Sequence, residues 1–100
     1  MVIKTVEEET LQDNVPVTQI FLDESYGRRL GPQNVEHLAK NWNDQAAGVV
    51  YLSLREDGRF ACLDGWHRVT AARRRGIAEI RARVYFDLTI AEEAHLFTLF

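Results

Sequence analysis

Residues 64–76 read Asp-Gly-Trp-His-Arg-Val-Thr-Ala-Ala-Arg-Arg-Arg-Gly, and their types and order suit the binding of an anion. The apolar run that ends at Leu63-Asp64 predicts a buried strand, Gly65 a turn, and residues 66–75 a short helix that stops at Gly76. A helix that opens directly from such a turn points its unpaired first-turn N–H groups, and its partial positive charge, at one spot. Trp66, His67 and Arg68 flank that spot and Asp64 ends the strand beside it. A phosphate is its natural occupant.

Each of these residues also has a plainer reading. Gly65 serves a tight turn or a close backbone approach, which a phosphate-binding turn equally demands. Arg68 stands at the helix end where a cation is disfavoured, so it needs an anion: a bound phosphate, or Asp64 or another loop carboxylate. His67 can donate to phosphate or cap its own loop. Asp64 before a helix is a natural N-cap. Trp66 is either a packing residue or a platform on which a base stacks. Arg73, Arg74 and Arg75 span about 200° of helix surface. They suit a solvated helix C-terminus and also contacts to a nucleic-acid backbone. Cys62 falls inside a strand and reads as core. His37 and His95 are isolated on separate helices, so no zinc-ligand spacing is present.

One hundred residues, 46% apolar and 27% charged, suit one soluble domain. No run approaches the roughly 18 apolar residues of a membrane helix, and the acidic start is unlike a signal peptide. A single cysteine excludes an intrachain disulfide framework and suits the cytoplasm. The net charge of −3 argues against bulk attraction to nucleic acid, but the charge is uneven. Glutamates fill positions 7–9, whereas four arginines crowd residues 68–75.

The remaining elements must hold the turn in place. Residues 1–16 are acidic and irregular, an arm or weak edge strand preceding a single domain over 17–100. A β-branched stretch predicts a strand at 17–22, followed by a loop that carries Arg28-Arg29. Val35, Leu38, Ala39 and Trp42 predict an amphipathic helix over 33–43 that begins near Pro32. Val49–Leu54 and Arg59–Asp64 form a hairpin about Asp57-Gly58, with both strands covered on both faces. Residues 77–86 alternate as a strand with one wetter face. Thr89-Ile90-Ala91-Glu92 is a capping box. The helix it opens places Ile90, Ala94 and Phe97 on one stripe, and Leu96, Leu99 and Phe100 make it apolar on several sides. Either the natural chain continues or this end packs on a further domain or a second copy. The order β-α-β-β-α-β-α predicts a small mixed α/β (α+β) layer fold.

Asp64-Gly65-Trp66-His67-Arg68 with Ala71-Ala72 and Gly76 resembles the central box of the ParB/sulfiredoxin superfamily. That box is Gly-Glu-Arg-Arg in ParB-type proteins, Gly-Cys-His-Arg in sulfiredoxins and Asp-Gly-His-His-Arg in the related free-serine kinases. Ile20-Phe21-Leu22-Asp23 through Tyr26-Gly27-Arg28 resembles the first ParB box. Leu88-Thr89 with Glu92-Glu93-Ala94 resembles the helix after the core strand. The resemblance implies a ParB/sulfiredoxin-like fold and a site for a nucleoside triphosphate or diphosphate (CTP, ATP or ADP) with magnesium. Gly65, Trp66, His67 and Arg68 would line that site and Arg28 would be a second phosphate contact. Asp64 would be a magnesium ligand or general base. Arg29 joins Arg73, Arg74 and Arg75 as a candidate nucleic-acid contact. Trp66 stands where sulfiredoxin has its reactive cysteine, so sulfinic-acid reduction does not carry over. Trp-His-Arg in place of Glu-Arg-Arg sets the chain apart from the partition proteins.

Three functions follow as expectations. The first is a cytoplasmic ParB-like domain that binds nucleotide or nucleic-acid phosphate in DNA partition or other DNA transactions of a bacterium or phage. The second is a magnesium-dependent phosphoryl-transfer enzyme or nuclease on the same residues, with Asp64 catalytic. The third is a non-catalytic scaffold that makes protein contacts through the last helix, with no membrane partner in any of the three.

Overall fold

The computed structural model describes residues 9–27 and 48–100. The expected helix over 33–43, Arg28, Arg29, His37 and residues 1–8 lie outside the described residues. Within them are strands β1 (Glu9–Pro16), β2 (Ile20–Phe21), β3 (Val50–Leu54), β4 (Phe60–Asp64) and β5 (Glu79–Tyr85). The helices are α1 (Trp66–Arg75) and α2 (Ile90–Leu99), and a single 3-10 turn, Val17–Gln19, separates β1 from β2. The strands form one mixed sheet in the order β1-β5-β3-β4-β2. β1 is antiparallel to β5 and β3 to β4, whereas β3 runs parallel to β5 and β2 to β4.

Two expectations are decided at the N-terminal end. Of the two readings of the N-terminal stretch, arm or weak edge strand, residues 9–16 take the second and pair with β5, so the sheet begins before residue 17. Pairing with β5 supplies the order that weak local patterning does not. The strand expected over 17–22 shrinks to Ile20–Phe21, because Val17–Gln19 must turn the chain. Pro16 consequently ends β1, where it lies opposite Glu79 on an edge that tolerates a missing N–H.

That turn dictates the sheet's shape. β1 and β2 are opposite edges, about 19 Å apart in a flat five-stranded sheet. The four steps from Pro16 to Ile20 span at most about 14 Å. The sheet therefore coils until its edges approach, and α1 covers the seam. The Arg73 guanidinium donates to the Val17 carbonyl at 2.7 and 3.1 Å and also to the Ile20 carbonyl. Val15, Val17 and Ile20 join Val50, Leu52, Phe60, Cys62, Ala82 and Val84 in one core, against which Val69 and Ala72 of α1 pack.

The hairpin and α1 form as their residues dictate. Arg55 and Arg59 close a three-residue loop, in which the Gly58 N–H donates to the Arg55 carbonyl at 3.0 Å. Gly58 takes the left-handed conformation (φ 86°) that such a loop requires. Helix α1 ends in a Schellman motif: the Ile77 N–H donates to the Ala72 carbonyl (2.9 Å) and the Gly76 N–H to that of Arg73 (3.1 Å). Burial on both faces of β4 is as expected, with Phe60, Ala61, Cys62 and Leu63 all buried. Burial pushes the Cys62 thiol up to about 12, which keeps it an inert core residue.

The other face of the sheet carries Leu63 and Tyr85 under Leu96 of α2. Thr89 and Glu92 form the expected capping box. The buried stripe differs from expectation, since Ile90 is 49% exposed while Glu93 is fully buried. The Glu93 carboxylate accepts from Ser53 Oγ (2.6 Å), Tyr26 Oη (2.9 Å) and Arg55, whose Nε and NH2 lie at 2.9 and 2.5 Å. Arg55 also pairs with Asp23 at 2.8 Å, and Asp23 accepts from Ser25. This network ties the 23–27 loop, the end of β3 and α2 into one unit. Burial and the Glu93 charge hold the Tyr26 hydroxyl protonated well above its ordinary range. Hydrogen bonds to Glu93, then to Asp23, keep Arg55 firmly charged.

Three outcomes follow. Glu93→Ala strips the part-exposed Arg55 of its main partner and leaves the Ser53 and Tyr26 hydroxyls without their acceptor, and is expected to cost about 3 kcal/mol in urea unfolding. Glu93→Gln should cost less. The Arg55 hydrogen bond lowers Asp23 to about 2 from its ordinary 3.8, so its contribution is complete above pH 3.8 and is lost as pH falls toward 2. Unfolding free energy measured from pH 5 to 2 should therefore fall less steeply in Asp23→Asn than in the parent. Arg73→Ala should cost about 1–3 kcal/mol through its carbonyl contacts, whereas exposed Arg75→Ala should stay within about 0.5 kcal/mol.

Candidate anion site at the opening of helix α1

Gly65 is required twice over. Its φ of 97° is left-handed, and a Cβ built on it would lie 2.6 Å from Val50 Cγ1 and 3.3 Å from the Val50 Cα. The backbone thus presses against the start of β3 as it turns from β4 into α1. The Val69 N–H closes the first turn on the Gly65 carbonyl at 3.1 Å. No side chain caps this helix, and its first turn contains no acidic residue. The reading of Asp64 as an N-cap is therefore overturned: Gly65 holds that position, and the Asp64 carboxylate makes no hydrogen bond to the first turn.

Around this opening the structure brings together Asp64, Trp66, His67 and Arg68, all half-buried. Arg68 donates one long hydrogen bond (3.4 Å) to the Val49 carbonyl, which sets its guanidinium beside the entry to β3. Its other donors, the His67 ring and the Asp64 carboxylate have no hydrogen-bonding or ionic partner among the described residues. The alternative pairing of Arg68 with Asp64 is thus not formed. Trp66 packs on the core and stacks under Arg73, whose Cζ is 5.3 Å from the ring centroid. Packing is its observed role.

The arginine run divides. Arg73 is engaged at the seam, where its guanidinium donates to backbone carbonyls. Arg74 and Arg75 are exposed in the last turn of α1, a helix length away from Gly65. They are not part of the cluster at the opening. His95 is exposed on α2, and no group of three or more candidate metal ligands occurs among the described residues. A lone carboxylate such as Asp64 can bind magnesium only together with oxygen ligands from elsewhere.

The Glu93 network escaped the sequence reading. Its signal was there in the arithmetic of the helix: Glu93 precedes Leu96 by three and Phe97 by four, so it shares their stripe. The apolar side chains elsewhere on α2 masked it.

No protein-family model matches this chain, and no curated protein matches it. Solved structures do. The C-terminally truncated chromosome-partitioning protein ParB from Caulobacter crescentus, complexed with CTP-gamma-S, superposes with a TM-score of 0.72 at 16% identity, over 91% of this chain and 51% of that one. The same protein complexed to the centromeric parS site gives 0.69 at 17% identity, over 86% and 44%. SbnI from Staphylococcus aureus, also truncated at its C-terminus, gives 0.57 at 20% identity, over 85% and 32%. This chain thus spans about half or less of each. At these identities the likeness is one of architecture: the chain has a ParB-like fold.

Proposed function

We propose that this ParB-like domain binds a nucleotide through its phosphates at the opening of α1. The observation that carries the reading is an uncapped helix N-terminus pressed onto β3 at Gly65, with Arg68, His67 and Asp64 unspent around it. Backbone N–H groups of the first turn would receive phosphate oxygens, Arg68 would neutralise them, and Asp64 would hold magnesium or orient water. Arg28 is proposed as a second phosphate contact. The crystal complex of ParB with CTP-gamma-S makes CTP the first nucleotide to try. DNA partition or a related DNA transaction is the wider role that the parS complex suggests. Arg29, Arg74 and Arg75 are the candidate backbone contacts there.

A second reading concerns turnover. The unpartnered Asp64 carboxylate favours magnesium-assisted phosphoryl transfer or phosphodiester hydrolysis on the same site. Asp64→Asn should then abolish magnesium-dependent turnover while nucleotide still binds.

Melting in the presence of CTP, ATP, ADP and GTP with magnesium tests the proposal. A nucleotide at about 100 times its Kd adds roughly 2.7 kcal/mol, a shift easily seen. Arg68→Ala should weaken binding by roughly 10- to 100-fold, as loss of a charge-assisted hydrogen bond does, with little change in stability. Gly65→Ala should cost at least about 1–2 kcal/mol of stability from its left-handed backbone alone, and weaken binding as well. A melting temperature that no nucleotide raises at millimolar concentration refutes the reading.

A further inference from the structure

At the end of the sheet opposite to Gly65 lies a concavity, about 830 Å³, between the β3–β4 hairpin and the β5–α2 connection. The register separates the two places. Tyr51 pairs with Asp64 near the helix opening, whereas Leu54 pairs with Phe60 beside this groove, roughly 10 Å further along β3. Leu54, Phe86, Leu88 and Ile90 give it an apolar lining, and Ile90 leaves half its surface to solvent. Asp87 sits between Phe86 and Leu88 in the left-handed conformation (φ 58°) and is the single non-glycine residue with positive φ among those described.

The charge of the lining is one-sided. Asp57 spends its carboxylate on Arg59, and Arg55, the sole cation in the lining, is answered by Glu93 and Asp23. Glu56 and Asp87 have no such partner among the described residues. The groove therefore offers apolar contact with unanswered negative charge at its rim. Phosphate-rich partners, whether nucleic acid or anionic lipid, are repelled by that rim. We infer that the groove binds a protein segment in which bulky aliphatic side chains stand next to lysine or arginine. The aliphatic groups cover Leu54, Phe86, Leu88 and Ile90, and the cations meet Glu56 and Asp87. Because the groove and the α1 opening lie at opposite ends of the sheet, the two sites can be filled together.

The test is an amide-resolved NMR titration of the full chain with a capped peptide of two leucines followed by two lysines, beside a control with glutamates in place of the lysines. The lysine peptide should move resonances of residues 54–57 and 86–90 and leave 65–68 in place, and the glutamate peptide should move none. Asp87→Asn keeps a residue that tolerates the left-handed backbone. It should weaken binding up to roughly fivefold, the range of an exposed ion pair. Ile90→Lys should abolish binding, with the spectrum itself reporting that each variant is folded. The proposal is overturned if neither peptide moves 54–57 and 86–90 at millimolar concentration, or if both move them alike. Shifts there that follow protein concentration without peptide overturn it too, because the occupant is then a second copy of the chain.

Discussion

Three residues, Val17–Gln19, join the two outermost strands of this sheet, and that short connection constrains everything else. A flat sheet cannot satisfy it. Coiling brings Val15, Val17 and Ile20 into contact with the middle strands and leaves carbonyl groups at the seam without strand partners. Arg73 supplies the donors. Arg73 sits near the end of α1, so its contacts hold that end of the helix against the seam. The small residues Ala71 and Ala72 let the helix approach, and Gly65 lets the incoming backbone touch Val50.

The two faces of the sheet use charge in opposite ways. On the α2 face the Glu93 carboxylate is buried, but both oxygens are occupied by donors from the 23–27 loop and the end of β3, so its burial costs little and ties these to α2. At the α1 opening the opposite holds: donors outnumber acceptors, and Asp64 stands apart without answering them. The first network is closed, whereas Arg68, His67 and Asp64 at the opening keep polar atoms without a partner among the described residues. The same contrast separates Arg73, which is consumed by the fold, from Arg68, which has one long contact to a carbonyl.

Local patterns located the hairpin, α1, β5 and the capping box of α2, because each is written in residues close together in sequence. Asp57-Gly58, Gly65, Gly76 and Thr89-Glu92 punctuate the chain through backbone chemistry that needs no distant partner. β1 lacked such marks. Its order comes from pairing with β5, some seventy positions away, and no periodicity in residues 9–16 announces that partner. The same holds for Val17–Gln19, whose β-branched composition favours a strand until the connection forces a turn.

The elements of the candidate site were legible, since a glycine turn followed by a helix with a cation at its disfavoured end is written in adjacent residues. The sequence by itself determined that α1 begins after Gly65, ends at Gly76 and carries an arginine at its disfavoured end. Only the tertiary structure decided which polar groups are spent. Asp64 leaves the helix uncapped, Arg73 turns to the seam, and Glu93 is drawn inward to Arg55, Ser53 and Tyr26. The physical reason is that capping and helix termination are settled within a few residues. The partner of a charged side chain depends on which distant backbone or carboxylate the coiled sheet brings within about 3 Å.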